Sequence, residues 1–297
     1  MPQMGIFALG TSSHAYLELD LRDGAEPTEL VGRLADLREP RTTIGGVNLV
    51  VGLRPELWRD RIGAAAPARL HGFAEPVTGA DGFTMPATQH DALLWIAGAT
   101  YDVVFDEARK AIAMLGPVAR VATETSSWPY RHDRDLTGFV DGTENPSLAR
   151  APDVALVPPG TPGAGGSVLL LQRWAHDVEA WEALTVATQE AAMGRTKDDS
   201  TELADKPETS HVARTDQDDF GDVFRRNMPY GTVTAHGTMF VGFAADQGPL
   251  ARMLDSMAGV HGPRDELTRY TAPETGAYYF VPALAALREF GTPEDDG

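Results

Sequence analysis

One short segment, GFVDGTENP at Gly138–Pro146, places a single acidic side chain between residues that bend the backbone. Gly142 can adopt backbone angles that are closed to other residues, and the Asn145-Pro146 step favours a turn. We therefore expect the carboxylate of Asp141 to stand on a tight, rigid loop, where it suits proton transfer better than packing. Asp-Gly is also an ordinary turn sequence, so a purely structural turn is the alternative.

Histidine provides a second candidate for chemistry. The eight histidines include no His-x-x-x-His or His-Glu-x-x-His pair, which argues against a zinc site on a helix. His211 follows Pro207 and Ser210, two residue types common in loops, so we expect a turn to present it. One histidine on a loop beside an open cavity is a way to bind a single haem iron. A lone histidine is more often a surface or core residue.

A paired arginine with a following amide forms the third candidate. Arg225, Arg226 and Asn227 lie in a strand-like segment, Val223–Gly231, that contains Pro-x-Gly at its end. In so acidic a chain, adjacent arginines beside apolar side chains favour a specific anion or an oxygen ligand. A solvated basic patch is the alternative.

The composition narrows the function classes. The 297 residues suffice for one large domain or two of ordinary size, and the net charge of −18 disfavours nucleic acid and anionic membranes as partners. The sequence has no cysteine, which excludes disulfides and thiolate metal sites. No apolar run approaches the ~18 residues of a membrane span. The beginning of the chain shows no export signal, so we expect a cytoplasmic protein.

Two halves of the sequence show the same order of elements. His90–Gly98 resembles His236–Ala244 at an offset of 146 residues, and a helix of similar size follows each. The pattern predicts a pair of antiparallel sheets with helices on one face, with chance similarity as the alternative. We assign residues 1–147 to the first half, 148–165 to a Pro- and Gly-rich linker and 166–297 to the second half. The predicted elements include a strand at Thr43–Leu53 and one helix over Val178–Met193.

These residues together resemble the dye-decolorizing peroxidase family of haem proteins, in particular its B-type branch without large insertions. The resemblance rests on segments in the family's order, which are Gly138–Pro146, Gly194–Lys197 with Glu202-Leu203, Ser210–Val212, Arg225–Met228 and Thr275–Pro282. It implies an α+β fold of two ferredoxin-like halves of βαββαβ type, with haem b held mainly by the second half.

The resemblance also implies roles for individual residues. His211 would be the proximal iron ligand, and Asp141 and Arg225 would lie on the distal face with Asn227 beside them. The other residues expected to contact the cofactor are Arg195 and Arg226, as partners of the haem propionates, and Gly142, Thr143 and Phe240.

The implied reaction is the reduction of hydrogen peroxide through a ferryl intermediate, followed by oxidation of small aromatic, phenolic or dye donors. Asp141 would move the proton between the peroxide oxygens, and Arg225 would stabilise the charge on the departing oxygen. Two alternatives are a haem protein for storage, delivery or sensing, and a haem enzyme similar to chlorite dismutase.

Other expectations concern the surroundings of the site. A carboxylate late in the chain should accept a hydrogen bond from His211, but the position that looks equivalent in the family reads Arg269, with Asp265 nearby. Trp128, Tyr130 and Trp174 are candidate electron relays, or simply core residues. The family favours a homo-oligomer. The terminal Pro293–Gly297 lacks the apolar tail that directs some members into encapsulin shells, so we expect no such cargo role.

Overall fold

The computed structural model describes residues 1–38, 46–131 and 133–292. The first half contains β1 (Ser13–Leu21), α1 (Pro27–Ala35), β2 (Val47–Leu53), β3 (Val77–Thr78), β4 (Thr84–Met85), β5 (Ala92–Gly98), α2 (Tyr101–Leu115) and β6 (Ala119–Ser127). Short 3-10 turns at Met4–Phe7 and Ala80–Gly82 and a π-helical turn at Leu57–Arg61 accompany them.

The second half begins after the loop that contains Asp141. Its elements are α3 (Ala151–Ala155), β7 (Ser167–His176), α4 (Val178–Glu182), α5 (Val186–Met193), α6 (His211–Arg214), α7 (Gln217–Phe220), β8 (Phe224–Arg225), β9 (Met228–Gly231), β10 (His236–Ala244), α8 (Gly248–Ala258), β11 (Thr271–Pro273), β12 (Ala277–Val281) and α9 (Leu284–Arg288). A 3-10 turn at Glu266–Arg269 precedes β11.

The two halves share one antiparallel topology. The first half has the strand order β2-β5-β1-β6, and the second has the order β12-β7-β10-β9, with the strands of each half in equivalent chain positions. Strands β5 and β10, which carry the internal sequence match, therefore occupy the same place in their halves. The predicted α+β fold of two ferredoxin-like halves is confirmed.

The halves are joined at both sheet edges. Ser127 of β6 pairs with Tyr230 of β9, and Phe280 of β12 pairs with Leu53 of β2. Together with the pairing of β7 and β10, these contacts connect eight strands into a closed circuit. The two predicted sheets are thus hydrogen-bonded to each other and share one interior.

Alternation along β7 separates this interior from the functional side of the sheet. Leu169 and Leu171 pack in the interior cluster with Tyr16, Trp95 and other side chains of both halves. Their neighbour Leu170 packs in a different cluster, together with α8. Because successive side chains of a strand point to opposite faces, the even-numbered residues of β7 share one face beneath the helices of the second half.

Three sequence predictions need adjustment. Predicted helix Val178–Met193 is two helices, because Thr185 starts α5 as an N-cap and its side chain accepts a hydrogen bond from Thr188 N. Only Val47–Leu53 of predicted strand Thr43–Leu53 is a strand, and residues 43–45 lie outside the described part. Segment 148–165, assigned to the linker, contains α3 with Ala151 fully buried, so its first part is packed structure, whereas residues 158–162 are exposed.

The terminal residues 293–297, on which the expectation about encapsulin depends, also lie outside the described part. Within residues 1–38, 46–131 and 133–292, no helix combines the length and apolarity needed to cross a bilayer.

Candidate active site

Backbone hydrogen bonds fold the loop around Asp141 tightly. Asp141 N donates to Asp133 O at 2.7 Å, and Asn145 N donates to Gly142 O at 3.0 Å across a turn. Gly138 and Gly142 have φ values of 88° and 77°, in the region that favours glycine. The prediction that Asp141 stands on a tight loop is confirmed.

Asn227 connects this loop to the sheet. Its Nδ2 donates to Asp141 Oδ1 at 3.3 Å, and its Oδ1 accepts from Val241 N at 3.1 Å. Strands β8 and β9 pair with β10 in one continuous register, in which Arg225 faces Gly242 and Met228 faces Met239. The side chain of Asn227 is thus hydrogen-bonded to the backbone of β10, and it orients Asp141 from this fixed position.

His211 and Asp265 form a second polar pair. Ser210 caps α6, so His211 is the first residue of a one-turn helix rather than part of a loop. His211 Nδ1 lies 2.7 Å from Asp265 Oδ2, and the Asp265 side chain is fully buried. The other oxygen of Asp265 accepts from Leu267 N at 2.9 Å. The carboxylate partner expected for His211 is therefore Asp265, four residues before Arg269.

Arg269 lies elsewhere. Its guanidinium pairs with Glu266 at 3.0 Å and approaches Asp81 at 3.7 Å. Position 269 therefore does not supply the acceptor for His211. The 3-10 turn at Glu266–Arg269 directs the side chain of Arg269 towards Glu266 and Asp81 instead.

Opposing effects set the protonation of His211. Burial lowers its pKa, but the negative charge of Asp265 and the hydrogen bond to it outweigh burial, so the pKa is raised above 6.5. Because Nδ1 faces a carboxylate, it carries a proton, which leaves Nε2 as the nitrogen that can hold a metal. Among the described residues, none hydrogen-bonds to Nε2.

A large cavity brings these groups together. It encloses about 1190 Å³ of space outside protein atoms, part of which is open to solvent. Apolar side chains of β7, β10 and α8 form much of its lining, among them Leu170, Phe240, Leu250, Met253, Leu254 and Met257. The polar residues that line it include His211, Asp141, Arg225, Asn227, Arg195 and Gln172. Apolar walls with a few convergent polar groups are typical of a cofactor site.

Several buried polar atoms at this cavity have no partner in the described structure. Arg225 Nε, Arg195 Nε and Gln172 Nε2 are buried without a hydrogen bond. Such atoms are costly to bury unless a ligand or water satisfies them. These unpaired atoms indicate that the mostly apolar cavity binds a ligand with polar groups.

The cavity also contains a carboxyl group that the sequence analysis did not select. Burial, reinforced by the nearby charge of Asp141, raises the pKa of Asp135 to about 6. Asp135 Oδ1 accepts hydrogen bonds from Thr137 N, at 2.8 Å, and from the Thr137 hydroxyl. The Asp-x-Thr spacing was the available sequence signal for this local turn.

Arg195 also lines the cavity, with its side chain 14% exposed. Its Nη2 donates to Glu144 Oε1 at 2.6 Å and approaches Glu202 Oε2 at 3.3 Å. Gly142, Thr143 and Phe240, also expected to contact a cofactor, line the same cavity. The structure thus brings together eight of the nine predicted site residues.

Arg226 is the exception. Its side chain is 4% exposed and points towards the N-terminal segment, where its guanidinium donates to Ile6 O at 2.8 Å and Ala8 O at 2.7 Å. The guanidinium also lies over the ring of Trp95, and burial lowers its pKa to about 10. The prediction that Arg226 pairs with a haem propionate does not fit this structure, because adjacent residues of a strand face opposite sides.

A second cavity adjoins the first. It shares Asp135, Asp141, Arg225 and Asn227 with the first cavity and extends to Tyr130. Trp174 lines the first cavity, whereas Trp128 is 36% exposed. The three candidate relays therefore lie in three different environments, two of them next to a cavity.

Comparison with known proteins identifies the family. The family model described as "Dyp-type peroxidase, N-terminal" matches residues 3–128, and "Dyp-type peroxidase, C-terminal" matches residues 132–286. A dye-decolorizing peroxidase of Rhodococcus erythropolis is 36% identical over 93% of this chain and 85% of its own length. A dye-decolorizing peroxidase of Mycobacterium tuberculosis is 33% identical over 91% of this chain and 82% of its own length. The chain belongs to the Dyp-type peroxidase family, an enzyme class, as the sequence predicted.

Solved structures agree with this assignment. A DypB variant of Rhodococcus jostii in complex with haem has a TM-score of 0.89 and 31% identity, with 98% of this chain and 99% of that chain covered. The dye-decolorizing protein of Vibrio cholerae has a TM-score of 0.85 and 33% identity, with 97% and 99% covered.

Proposed function

We propose that the protein is a haem b peroxidase that reduces hydrogen peroxide and oxidises small aromatic, phenolic or dye donors. The observation that carries the proposal is one cavity lined both by His211, which bonds to the buried Asp265, and by Asp141, Asn227 and Arg225. A non-catalytic haem carrier needs only the first of these groups.

The residues fit haem b. The cavity offers apolar walls for a porphyrin, a histidine whose Nε2 has no hydrogen-bond partner among the described residues, and Arg195 for a propionate. The DypB neighbour in complex with haem supports the same group. When bound, haem would supply the redox chemistry, since it can be oxidised by two electrons by peroxide and reduced again by a donor.

The chain's own residues handle the proton and the charge. Asp141 accepts a proton from one peroxide oxygen and delivers it to the other, while Asn227 holds Oδ1 of Asp141 in place. Arg225 has no ion-pair partner among the described residues, so its charge is available to the departing oxygen. Asp265 orients His211 and increases its basicity as a ligand.

Stopped-flow mixing of the haem-loaded ferric protein with hydrogen peroxide tests the proposal. We expect a rapid change of the Soret band that Asp141→Asn and Arg225→Ala slow, followed by its reversal when a phenolic donor is added. Asp133→Asn is a matched control, since Asp133 contributes only its backbone carbonyl to Asp141 and Asn tolerates its φ of 64°. A Soret band that peroxide leaves unchanged would identify a haem carrier instead.

We propose in addition that the enzyme is a cytoplasmic homo-oligomer. The family resemblance supports the assembly, and a sequence without cysteine needs no oxidising compartment. Light scattering of the purified protein and fractionation of the native cells test the two statements separately.

A further inference from the structure

One amide side chain holds the backbone of Arg225 from the loop that carries Asp141. Asn145 Oδ1 accepts a hydrogen bond from Arg225 N at 2.8 Å, and Asn145 Nδ2 donates to Arg225 O at 2.9 Å. A single side chain thus satisfies both polar backbone groups of the residue, in the way that a neighbouring strand would.

The sheet explains why these backbone groups need a partner. Arg226 N donates to Val241 O of β10 at 2.8 Å. Arg225, which lies opposite Gly242, therefore directs its own N–H and C=O away from β10. Strand β8 is the last strand in the order of the sheet, with no described strand on its outer side. Asn145 supplies the hydrogen bonds that the missing strand would make.

The position of the Arg225 guanidinium depends on this backbone. No ion pair to a described carboxylate anchors the side chain, and its Nε is buried without a hydrogen bond. The position of the Arg225 backbone therefore determines where its guanidinium lies in the cavity, so the hydrogen bonds that hold this backbone also position the guanidinium.

We propose that Asn145 is a positioning residue for catalysis. Its side chain bonds the loop that carries Asp141 to the backbone of Arg225 and so fixes the position of Arg225 relative to Asp141. The inference rests on the proposed function, in which both residues act on peroxide. Asn145 itself does not touch the reacting oxygens.

The turn that presents Asn145 is built for this contact. Asn145 N closes the turn on Gly142 O at 3.0 Å, one residue after Asp141. A Cβ on Gly142 would lie 3.0 Å from Asn145 Nδ2, in addition to the strain of a φ of 77°. The acid, the glycine and the amide thus form one rigid unit that docks on β8.

A second amide gives a matched control. Gln217 Nε2 donates to Glu144 O at 3.0 Å, and Gln217 Oε1 accepts from Val223 N at 3.0 Å. It joins the same loop to the same segment of chain with the same number of bonds, but it contacts neither Asp141 nor Arg225. Loss of Gln217 therefore reports the structural cost of loosening the loop.

The test compares Asn145→Ala and Gln217→Ala in the haem-loaded protein. Fluoride is the probe, because an anion on ferric haem is stabilised by a well-placed distal cation without any turnover. We expect Asn145→Ala to weaken fluoride binding about 10-fold and to lower kcat/KM for peroxide by about 10- to 100-fold, as a donor misplaced by roughly 1 Å does. Gln217→Ala should change either quantity by less than about 2-fold.

A double variant separates positioning from a general loss of structure. If Asn145 acts through Arg225, then Asn145→Ala combined with Arg225→Ala should bind fluoride no more weakly than Arg225→Ala alone. Additive losses, or equal effects of Asn145→Ala and Gln217→Ala, would overturn the inference. If Asn145→Ala does not yield folded protein, Asn145→Asp removes the donor to Arg225 O and places a carboxylate oxygen against that carbonyl, and fluoride affinity at the wild-type level there would also refute the inference.

The outcomes distinguish this inference from the proposed function. An Arg225→Ala variant with normal fluoride affinity and normal reaction with peroxide contradicts the role of Arg225 itself. If Arg225→Ala weakens fluoride binding and slows the reaction with peroxide while Asn145→Ala changes neither, only the role of Asn145 is contradicted.

Discussion

The imidazole of His211 donates from Nδ1 to Oδ2 of Asp265 over 2.7 Å, although 54 residues separate the two in sequence. The carboxylate is fully buried and is held by Leu267 N through its other oxygen. A histidine bound in this way keeps one ring orientation and one tautomer. The rigid presentation of Nε2 to the cavity follows from this pair.

Replacing the carboxylate tests its influence on haem. Asp265→Asn keeps the size of the side chain but removes the charge, so we expect haem affinity or peroxidase activity to fall about 10- to 100-fold. We also expect a more positive reduction potential, because a less basic imidazole stabilises ferric iron less. Haem titration and spectroelectrochemistry measure the two effects.

The neighbouring Glu266→Gln is the control for Asp265→Asn. Its carboxylate pairs with Arg269 away from the cavity, so haem affinity and potential should stay at the wild-type values. Equal changes in both variants would show that the charge of this region, rather than the bond to His211, is responsible.

Arg226 and Arg195, the two arginines that the sequence analysis expected at the haem propionates, should differ in their effects. Arg226→Met removes the donor for three backbone carbonyls of the N-terminal segment, which should lower the free energy of unfolding by about 2 kcal/mol and leave haem affinity unchanged. Arg195→Met should instead weaken haem binding with little loss of stability. Denaturant unfolding and haem titration of both variants make the comparison, and weaker haem binding in Arg226→Met would restore the role that the sequence suggested for it.

Asp135 should make stability depend on pH. Its pKa is raised from 3.8 to about 6 in the folded protein, so its contribution to stability is full below pH 4 and is lost as the pH rises through 6. The total loss is about 3 kcal/mol, since one pKa unit corresponds to about 1.4 kcal/mol. Asp135→Asn keeps an acceptor for Thr137 and should remove this dependence.

Urea unfolding at pH 5 and pH 7.5 measures the effect of Asp135. Between these values the wild-type protein should lose about 1.4 kcal/mol more than Asp135→Asn does. Parallel curves for the two proteins would mean that Asp135 ionises normally in the fold.

A buried pair in the shared interior should stabilise the joined halves. Tyr279 Oη donates to Glu18 Oε1 at 2.7 Å, and the other oxygen accepts from Thr123 at 2.7 Å. Tyr279→Phe leaves a buried carboxylate oxygen unsatisfied, so we expect a loss of about 1–3 kcal/mol in the free energy of unfolding. Tyr101→Phe, at a residue 60% exposed, is the control and should change it by less than about 0.5 kcal/mol.

The sequence predicted the parts of the fold that follow from local periodicity. Strand and helix patterns repeat at an offset of 146 residues, and that repeat corresponds to the equivalent strands β5 and β10. The joining of the halves through single pairs such as Ser127 with Tyr230 has no such signal, because it depends on how two finished sheets meet.

The site was predictable where a motif carries its own geometry. Asp141 lies on a loop that its glycines define, and His211 follows a capping serine. The separation of Arg225 from Arg226 was also available from the sequence, since neighbours on a strand face opposite sides. Asp265 and Asn145 act through contacts 54 and 80 residues away in the chain, which no local pattern specifies.

The most direct measurement concerns the iron ligand. In His211→Gly loaded with haem, we predict that the Soret and charge-transfer bands change and that added imidazole restores them, while His176→Ala, at another cavity histidine, keeps the wild-type spectrum. A His211→Gly protein that binds haem stoichiometrically with the wild-type spectrum, without imidazole, would contradict the account.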